Sequence, residues 1–122
     1  MAEARGIVLD RTQIGRLAVK SNLRTVKWTK RGRRRFREQL TYITNENSRE
    51  VAAEWALRVI RTTRTLMEFP LSGRIVPEIA RKEIREHIVD RHFRVIYKVR
   101  PRFCDILSIR HTAFNITSLR SL

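Results

Sequence analysis

The sequence predicts an α+β domain, in which a helical hairpin packs on one face of a small, mostly antiparallel sheet in the order β-α-α-β-β-β. Three observations predict it. Residues 30–68 hold two runs with apolar residues at helical spacing. Residues 84–111 hold short runs rich in β-formers, divided by turn residues. Between them, Phe69-Pro70 and Ser72-Gly73 mark where one regime stops and the other starts. A chain of 122 residues is enough for one compact domain and not for two.

Taken in order, Thr25 to Thr29 alternates apolar and polar residues and reads as a first strand. Thr29 can then cap a helix that runs to about Thr44. Phe36, Leu40 and Ile43 give that helix a narrow apolar stripe, while Arg31, Arg33, Arg34, Arg35 and Arg37 occupy its other faces. Asn45 to Ser48 is a break, and Asn47 followed by Glu50 has the spacing of a capping box. A longer helix follows to about Glu68, with Ala52, Trp55, Ala56, Val59, Ile60, Thr63, Leu66 and Met67 on one face. Phe69-Pro70 ends it, because the residue before proline is pushed out of the helical region. Arg74 to Ile79 reads as a strand or extended loop. Ile84–Val89, Phe93–Val99 and Asp105–His111 read as three strands, with hairpin turns at Asp90-Arg91-His92 and Arg100-Pro101-Arg102. Ahead of all this, residues 1–25 form an N-terminal extension to a domain spanning 26–122. Ile14, Leu17 and Ala18 give Asp10 to Ser21 the spacing of a short amphipathic helix.

Charge is the loudest compositional signal. The chain carries 27 Lys and Arg against 12 Asp and Glu, a formal net charge of +15, and 22 of the 27 are Arg. A guanidinium offers a planar fork of donors that matches phosphate or carboxylate two bonds at a time. The bias therefore favours a polyanionic partner: RNA, DNA or an acidic protein segment. No amphipathic basic helix of the membrane-surface kind stands out, and no apolar run approaches transmembrane length. The one cysteine, Cys104, cannot form an internal disulfide. With no signal-peptide pattern at the start, a cytoplasmic location is expected. One cysteine and three scattered histidines lack the spacing of a metal site, and the 4 glycines form no phosphate-cradling loop, so no cofactor is expected.

Several pieces of the chain, read in order with short gaps, carry a family resemblance. They are Val26-Lys27-Trp28-Thr29, Leu40 to Ile43 with Tyr42, and the Leu66-x-x-x-Pro70-x-x-Gly73-Arg74 link. Val76-Pro77-Glu78, Ile84-Arg85-Glu86, Phe93 to Tyr97 and the closing His111 follow. From about Val26 to Ile116 this pattern resembles the RelE/ParE superfamily of small bacterial toxins. The resemblance implies the toxin half of a type II toxin–antitoxin module of the growth-arrest and plasmid-stabilization kind, silenced by a small, acidic cognate antitoxin. It also implies two mechanisms. RelE-like members enter the ribosomal A site and cut messenger RNA. ParE-like members inhibit DNA gyrase and use no nuclease site.

The residues bear on that choice. Cutting RNA without a metal needs a base for the 2′-OH, a cation for the crowded phosphate and an acid for the leaving oxygen. Arg85 lies in the strand where the resemblance places nuclease arginines. Alternation sets Arg94 on the face opposite Phe93, Val95 and Tyr97, which makes it the open-face cation. His111 is the acid/base candidate, since histidine is the side-chain type suited to that work near neutral pH, with a strand-end histidine hydrogen-bonded to the backbone as the structural alternative. Arg85, Arg94 and His111 are thus the expected catalytic set of a metal-independent endoribonuclease. Arg74, Arg33, Arg34 and Arg37 are the expected nucleic-acid contacts, with pairing of Arg74 to Glu78 or Glu86 as the structural alternative. After His111 the chain runs Thr112-Ala113-Phe114-Asn115-Ile116, largely neutral, where nuclease members carry further basic residues or a tyrosine. Messenger RNA cleavage leads on charge, gyrase inhibition follows on those missing residues, and a non-catalytic RNA- or DNA-binding module is the third reading.

Overall fold

In the computed structural model, which describes residues 23–113, Thr29 turns a four-residue strand into a helix. Strand β1 (Thr25–Trp28) ends as Thr29 Oγ1 accepts from Gly32 N at 2.9 Å and donates to Ile106 O at 2.8 Å. The first bond caps helix α1 (Lys30–Glu46), and the second ties its start to the sheet. Gly32 interrupts the arginine run for a steric reason. A Cβ there would lie 2.4 Å from Ile106 O, so any side chain would push the helix off the strand.

Helix α2 (Arg49–Glu68) is capped by Ser48, not by Asn47, since Ser48 Oγ accepts from Val51 N at 3.1 Å. Asn47 closes α1 instead, its N–H donating to Ile43 O at 2.9 Å. Glu50 still sits in the first turn, where a carboxylate suits the helix dipole. The short connection makes the two helices an antiparallel hairpin, as expected.

The remaining strands are β2 (Arg74–Ile75), β3 (Ile84–Val89), β4 (Phe93–Val99) and β5 (Phe103–His111). Their order across the sheet is β1-β5-β4-β3-β2, antiparallel throughout except for the parallel β1–β5 pair. Of the strand or extended loop expected over 74–79, two residues are strand and the rest is loop. Pro77 has no N–H for a ladder, the N–H groups of Ile79 and Ala80 bond back to Val76 O, and Ala80 takes φ 56°. The chain therefore curls, and Val76 and Ile79 pack on Ile84, Ile96 and Leu107 as a second, smaller core. A register shift between Ile96 and Tyr97 pairs Ile96 with Ser108 and Tyr97 with Ile106, leaving Leu107 as the extra residue of a bulge.

The main core lies under the helices. Ile43, Ala52, Trp55, Val59 and Leu66 meet Val89, Val95, Tyr97, Cys104, Ile106 and Ile109. Trp55 stacks on Phe36 and meets Phe93 edge-on, each at 5.4 Å between centroids. Phe36 and Leu40 of the expected stripe are partly buried against this core. At the β3–β4 hairpin, Asp90 and Arg91 take φ 55° and 64°, and His92 N donates to Val89 O at 3.3 Å, the pattern of a type I′ turn. The helix expected at Asp10 to Ser21 lies outside the described residues.

Candidate functional site

On the sheet face away from the helices, alternation brings Glu86 of β3 and Arg94 of β4 onto one surface as diagonal neighbours. Residues 76–80 curl so that Glu78 comes over them. Arg94 donates from Nη2 to Glu78 Oε2 at 2.7 Å and from Nη1 to Glu78 Oε1 at 3.0 Å, a bidentate pair. Nη1 also reaches Glu86 Oε1 at 3.2 Å, and Nη2 reaches Thr112 O at 3.1 Å. The other oxygen of Glu86 accepts from Arg74 Nε at 2.5 Å. Arg94 is only 7% exposed and Glu86 1%. The open-face cation expected from alternation is thus on the expected face but buried, closed off by two carboxylates that neutralise it. Glu78, bonded to Arg94, is held below the ordinary carboxyl value of 4.5. Arg74 takes the structural alternative with Glu86, though its side chain remains 61% exposed.

Arg85 faces the helix side, across from Tyr97. Its Nε donates to Lys82 O at 2.9 Å, and its Nη1 donates to Gly73 O at 2.9 Å and Leu71 O at 3.3 Å. Tyr97, fully buried, donates its hydroxyl to Pro70 O at 2.7 Å and accepts from Gly73 N at 3.0 Å. Gly73 is required here as well, since a Cβ would lie 2.6 Å from the Tyr97 hydroxyl and 2.5 Å from Glu86 O. Next to this latch, Ser72 Oγ donates to Phe69 O at 2.7 Å and lies 2.8 Å from His87 Nε2. With the Ser72 proton on Phe69 O, the network assigns the Nε2 proton to His87. Burial lowers the His87 pKa from its ordinary 6.5. Arg85, Tyr97 and His87 therefore all hold the link between α2 and β2.

His111 ends β5 and is exposed. Its ring lies 6.0 Å from that of His92 and meets Phe93 edge-on at 5.8 Å, and its Nδ1 accepts from Ala113 N at 3.2 Å. It borders a cleft of about 420 Å³ whose walls include Tyr42, Val51, Trp55 and Phe93. The Trp55 indole N–H is buried there without a partner.

The three expected catalytic residues do not converge. Arg85 stands opposite Tyr97, while His111 stands opposite Phe93. Four residues along β4 separate those positions, about 13 Å at strand rise. Arg94 points to the other face. Among the described residues, no group of three or more His, Cys, Asp or Glu could hold a metal ion. The thiol of Cys104 is buried and its pKa raised by that burial.

The arginines of α1 sit differently. Arg33, Arg34 and Arg37 are exposed. Arg33 Nη1 donates to Trp28 O at 2.8 Å, and Arg34 lies 4.0 Å from Glu38. Together with Arg31 they give the helix a dense cationic surface. What sequence reasoning missed was the pairing of Arg94 with Glu78. The two are 16 residues apart, and only the curl at Pro77 to Ala80 brings them together.

Fold and site together define a small, strongly cationic α+β protein with its sheet arginines built into the structure and its first helix presenting a cationic face. The family model for the ParE toxin of the type II toxin-antitoxin system parDE matches residues 26–116, and the chain belongs to that family. Among solved structures, it is similar to a chain described as "Chromosomal ParDE TA system from P. aeruginosa". That likeness has a TM-score of 0.63 at 17% sequence identity and covers 75% of this chain and 98% of the other, which speaks to the fold. No curated protein matches the chain. No helix among the described residues is long and apolar enough to cross a membrane.

Proposed function

We propose that this toxin arrests growth by inhibiting DNA gyrase in the cytoplasm, without nuclease chemistry of its own. The leading sequence expectation, ribosome-dependent messenger RNA cleavage, gives way to its alternative for two reasons. The matched family is ParE, the branch to which the sequence resemblance assigns gyrase inhibition. The observation that carries the reading is the dispersal of Arg85, Arg94 and His111. Phosphodiester cleavage needs its base, acid and cation around one phosphate. Here Arg94 is neutralised by Glu78 and Glu86, Arg85 holds the carbonyls of Leu71, Gly73 and Lys82, and His111 stands at the far end of the sheet.

On this reading the exposed arginines of α1, Arg33, Arg34 and Arg37, form part of the surface that engages gyrase or the DNA it holds. The cognate antitoxin keeps that surface from its target. The test is plasmid supercoiling by purified gyrase with increasing toxin, together with the integrity of total messenger RNA after induction in cells. Loss of supercoiling with intact messages is the expected result. Cut messages, with supercoiling unaffected, overturn the proposal.

A further inference from the structure

Two turns border the cleft of about 420 Å³ beside His111. One is the α1–α2 connection, which contributes Asn47, and the other is the β3–β4 hairpin, which contributes Asp90 and His92. The walls are fixed to each other. Arg58 of α2 grips Asp90 through Nε at 2.6 Å and Nη2 at 2.8 Å. Thr112 N donates to His92 O at 2.8 Å, and the imidazoles of His92 and His111 lie 6.0 Å apart, 25° from parallel. Tyr42, which is 60% exposed, Trp55 and Phe93 complete an aromatic lining.

What the lining offers is a set of neutral donors. Trp55 is 2% exposed, and its indole N–H has no acceptor. A donor kept both dry and unpaired costs the free protein stability, and a ligand oxygen that reaches it removes that cost. Because His111 Nδ1 accepts from Ala113 N, the neutral ring carries its proton on Nε2, which makes a second donor. The arginine of the lining is already paired with Asp90. A carboxylate or phosphate entering the cleft would find no cation of its own there.

We propose that this cleft receives an unstacked nucleobase of single-stranded DNA, of the carbonyl-bearing kind that thymine represents. The flat ring stacks among Tyr42, His92, Phe93 and His111, and a base carbonyl accepts from the Trp55 or His111 N–H. The volume is within the range of small-ligand sites. An aliphatic or phenylalanine side chain from a protein partner would fill the same space and leave the donors unpaired. Arg49, exposed between the wall residues Asn47 and Val51, supplies a cation for the adjoining phosphate. The site rests on the gyrase reading in one respect, that DNA held by the enzyme lies within the toxin's reach.

The experiment compares full-length toxin binding to a fluorescein-labelled oligothymidylate and to an abasic oligonucleotide of the same length, at about 150 mM salt. Both carry the same charge, so the ratio of affinities isolates the base. Thymine is expected to bind about tenfold more tightly, the scale of one stacked base. Tyr42→Ala and His111→Ala are each expected to cut that ratio to about twofold, whereas Leu57→Ala, an exposed apolar residue of α2 outside the cleft, keeps it. Tyr42 and His111 are exposed, so both variants are expected to melt close to wild type. An oligonucleotide bearing the difluorotoluene isostere of thymine, which has the shape without the carbonyls, is expected to lose most of the advantage. No advantage of thymine over the abasic strand, or an advantage that Tyr42→Ala and His111→Ala leave intact, overturns the site. An isostere that binds as well as thymine, or N-acetylphenylalaninamide displacing the strand at a lower concentration than thymidine does, makes the cleft a pocket for a protein side chain and overturns the base assignment. Supercoiling is read separately, so failure here leaves the gyrase reading standing, and failure there leaves the base site measured on its own.

Discussion

The arginines of the sheet and those of α1 are the same residue put to opposite uses. Arg94 is buried with two carboxylates at its guanidinium, and Arg85 bonds three carbonyls, two in the link between α2 and β2 and one in the turn before β3. Arg34 and Arg37 stand in solvent, with at most a loose carboxylate nearby. The difference shows that a net charge says little about where a protein keeps its available charge. Removing an arginine from the sheet should damage the fold, whereas removing one from the helix should damage only recognition.

Arg94→Ala is the severest way to break this comparison. It takes the buried cation from Glu86 Oε1 and from Glu78, leaves Glu86 with only the exposed Arg74, and should cost about 3–5 kcal/mol in urea unfolding. The double change Arg94→Met and Glu86→Leu should be more stable than Arg94→Ala, because it leaves no uncompensated buried charge. If Arg94→Ala unfolds like the wild type, the sheet arginine is not structural. Next comes Tyr97→Phe, which leaves Gly73 N and Pro70 O without the hydroxyl and should cost about 1–3 kcal/mol, with faster proteolysis between Phe69 and Arg74.

Acid offers a milder test. The Glu78 carboxyl is depressed below 4.5 by Arg94, so in the window between the two values the unfolded chain binds more protons than the fold does. Its contribution is therefore complete above about pH 4.5 and lost as pH falls through the folded-state value below that. The loss of stability on acidification should be steeper in wild type than in Glu78→Gln. His87 works in the same direction nearer neutrality. Burial lowers its pKa, so its share is intact above 6.5 and declines below.

Arg91 sharpens the comparison as an arginine with neither use. It holds φ 64° in the β3–β4 turn, where glycine carries no steric penalty. Arg91→Gly should stabilise the protein by about 1 kcal/mol. The smallest effect on stability is expected from Arg34→Gln with Arg37→Gln, within about 0.5 kcal/mol per site. That pair should nonetheless weaken supercoiling inhibition more than any of the stability changes predicts.

How far the sequence could be read follows from the same contrast. β3 and β4 fall where expected because alternation and turn residues are local signals. The Thr29 cap was legible for the same reason. Asn47 was mistaken for a cap because it has the right spacing to Glu50, and Ser48 competes at the next position. The parallel β1–β5 pair, the bulge at Leu107 and the Glu78–Arg94 bond depend on partners far along the chain. Alternation correctly gave the face of Arg94. It could not give the loop that covers that face, and so a buried cation read as an open one. In the candidate site, the residues were legible as types, while their grouping was not.

The parallel edge also has a consequence for the timing of synthesis. Thr29 and β1 leave the ribosome long before β5, yet the carbonyl of Ile106 that anchors Thr29 and the strand that pairs with β1 belong to the last strand among the described residues. Until then the N-terminal strand has no seat in the sheet, and the nascent chain cannot finish folding. The fold can close only once β5 has been made, which leaves an antitoxin already in the cell a head start over every newly made copy.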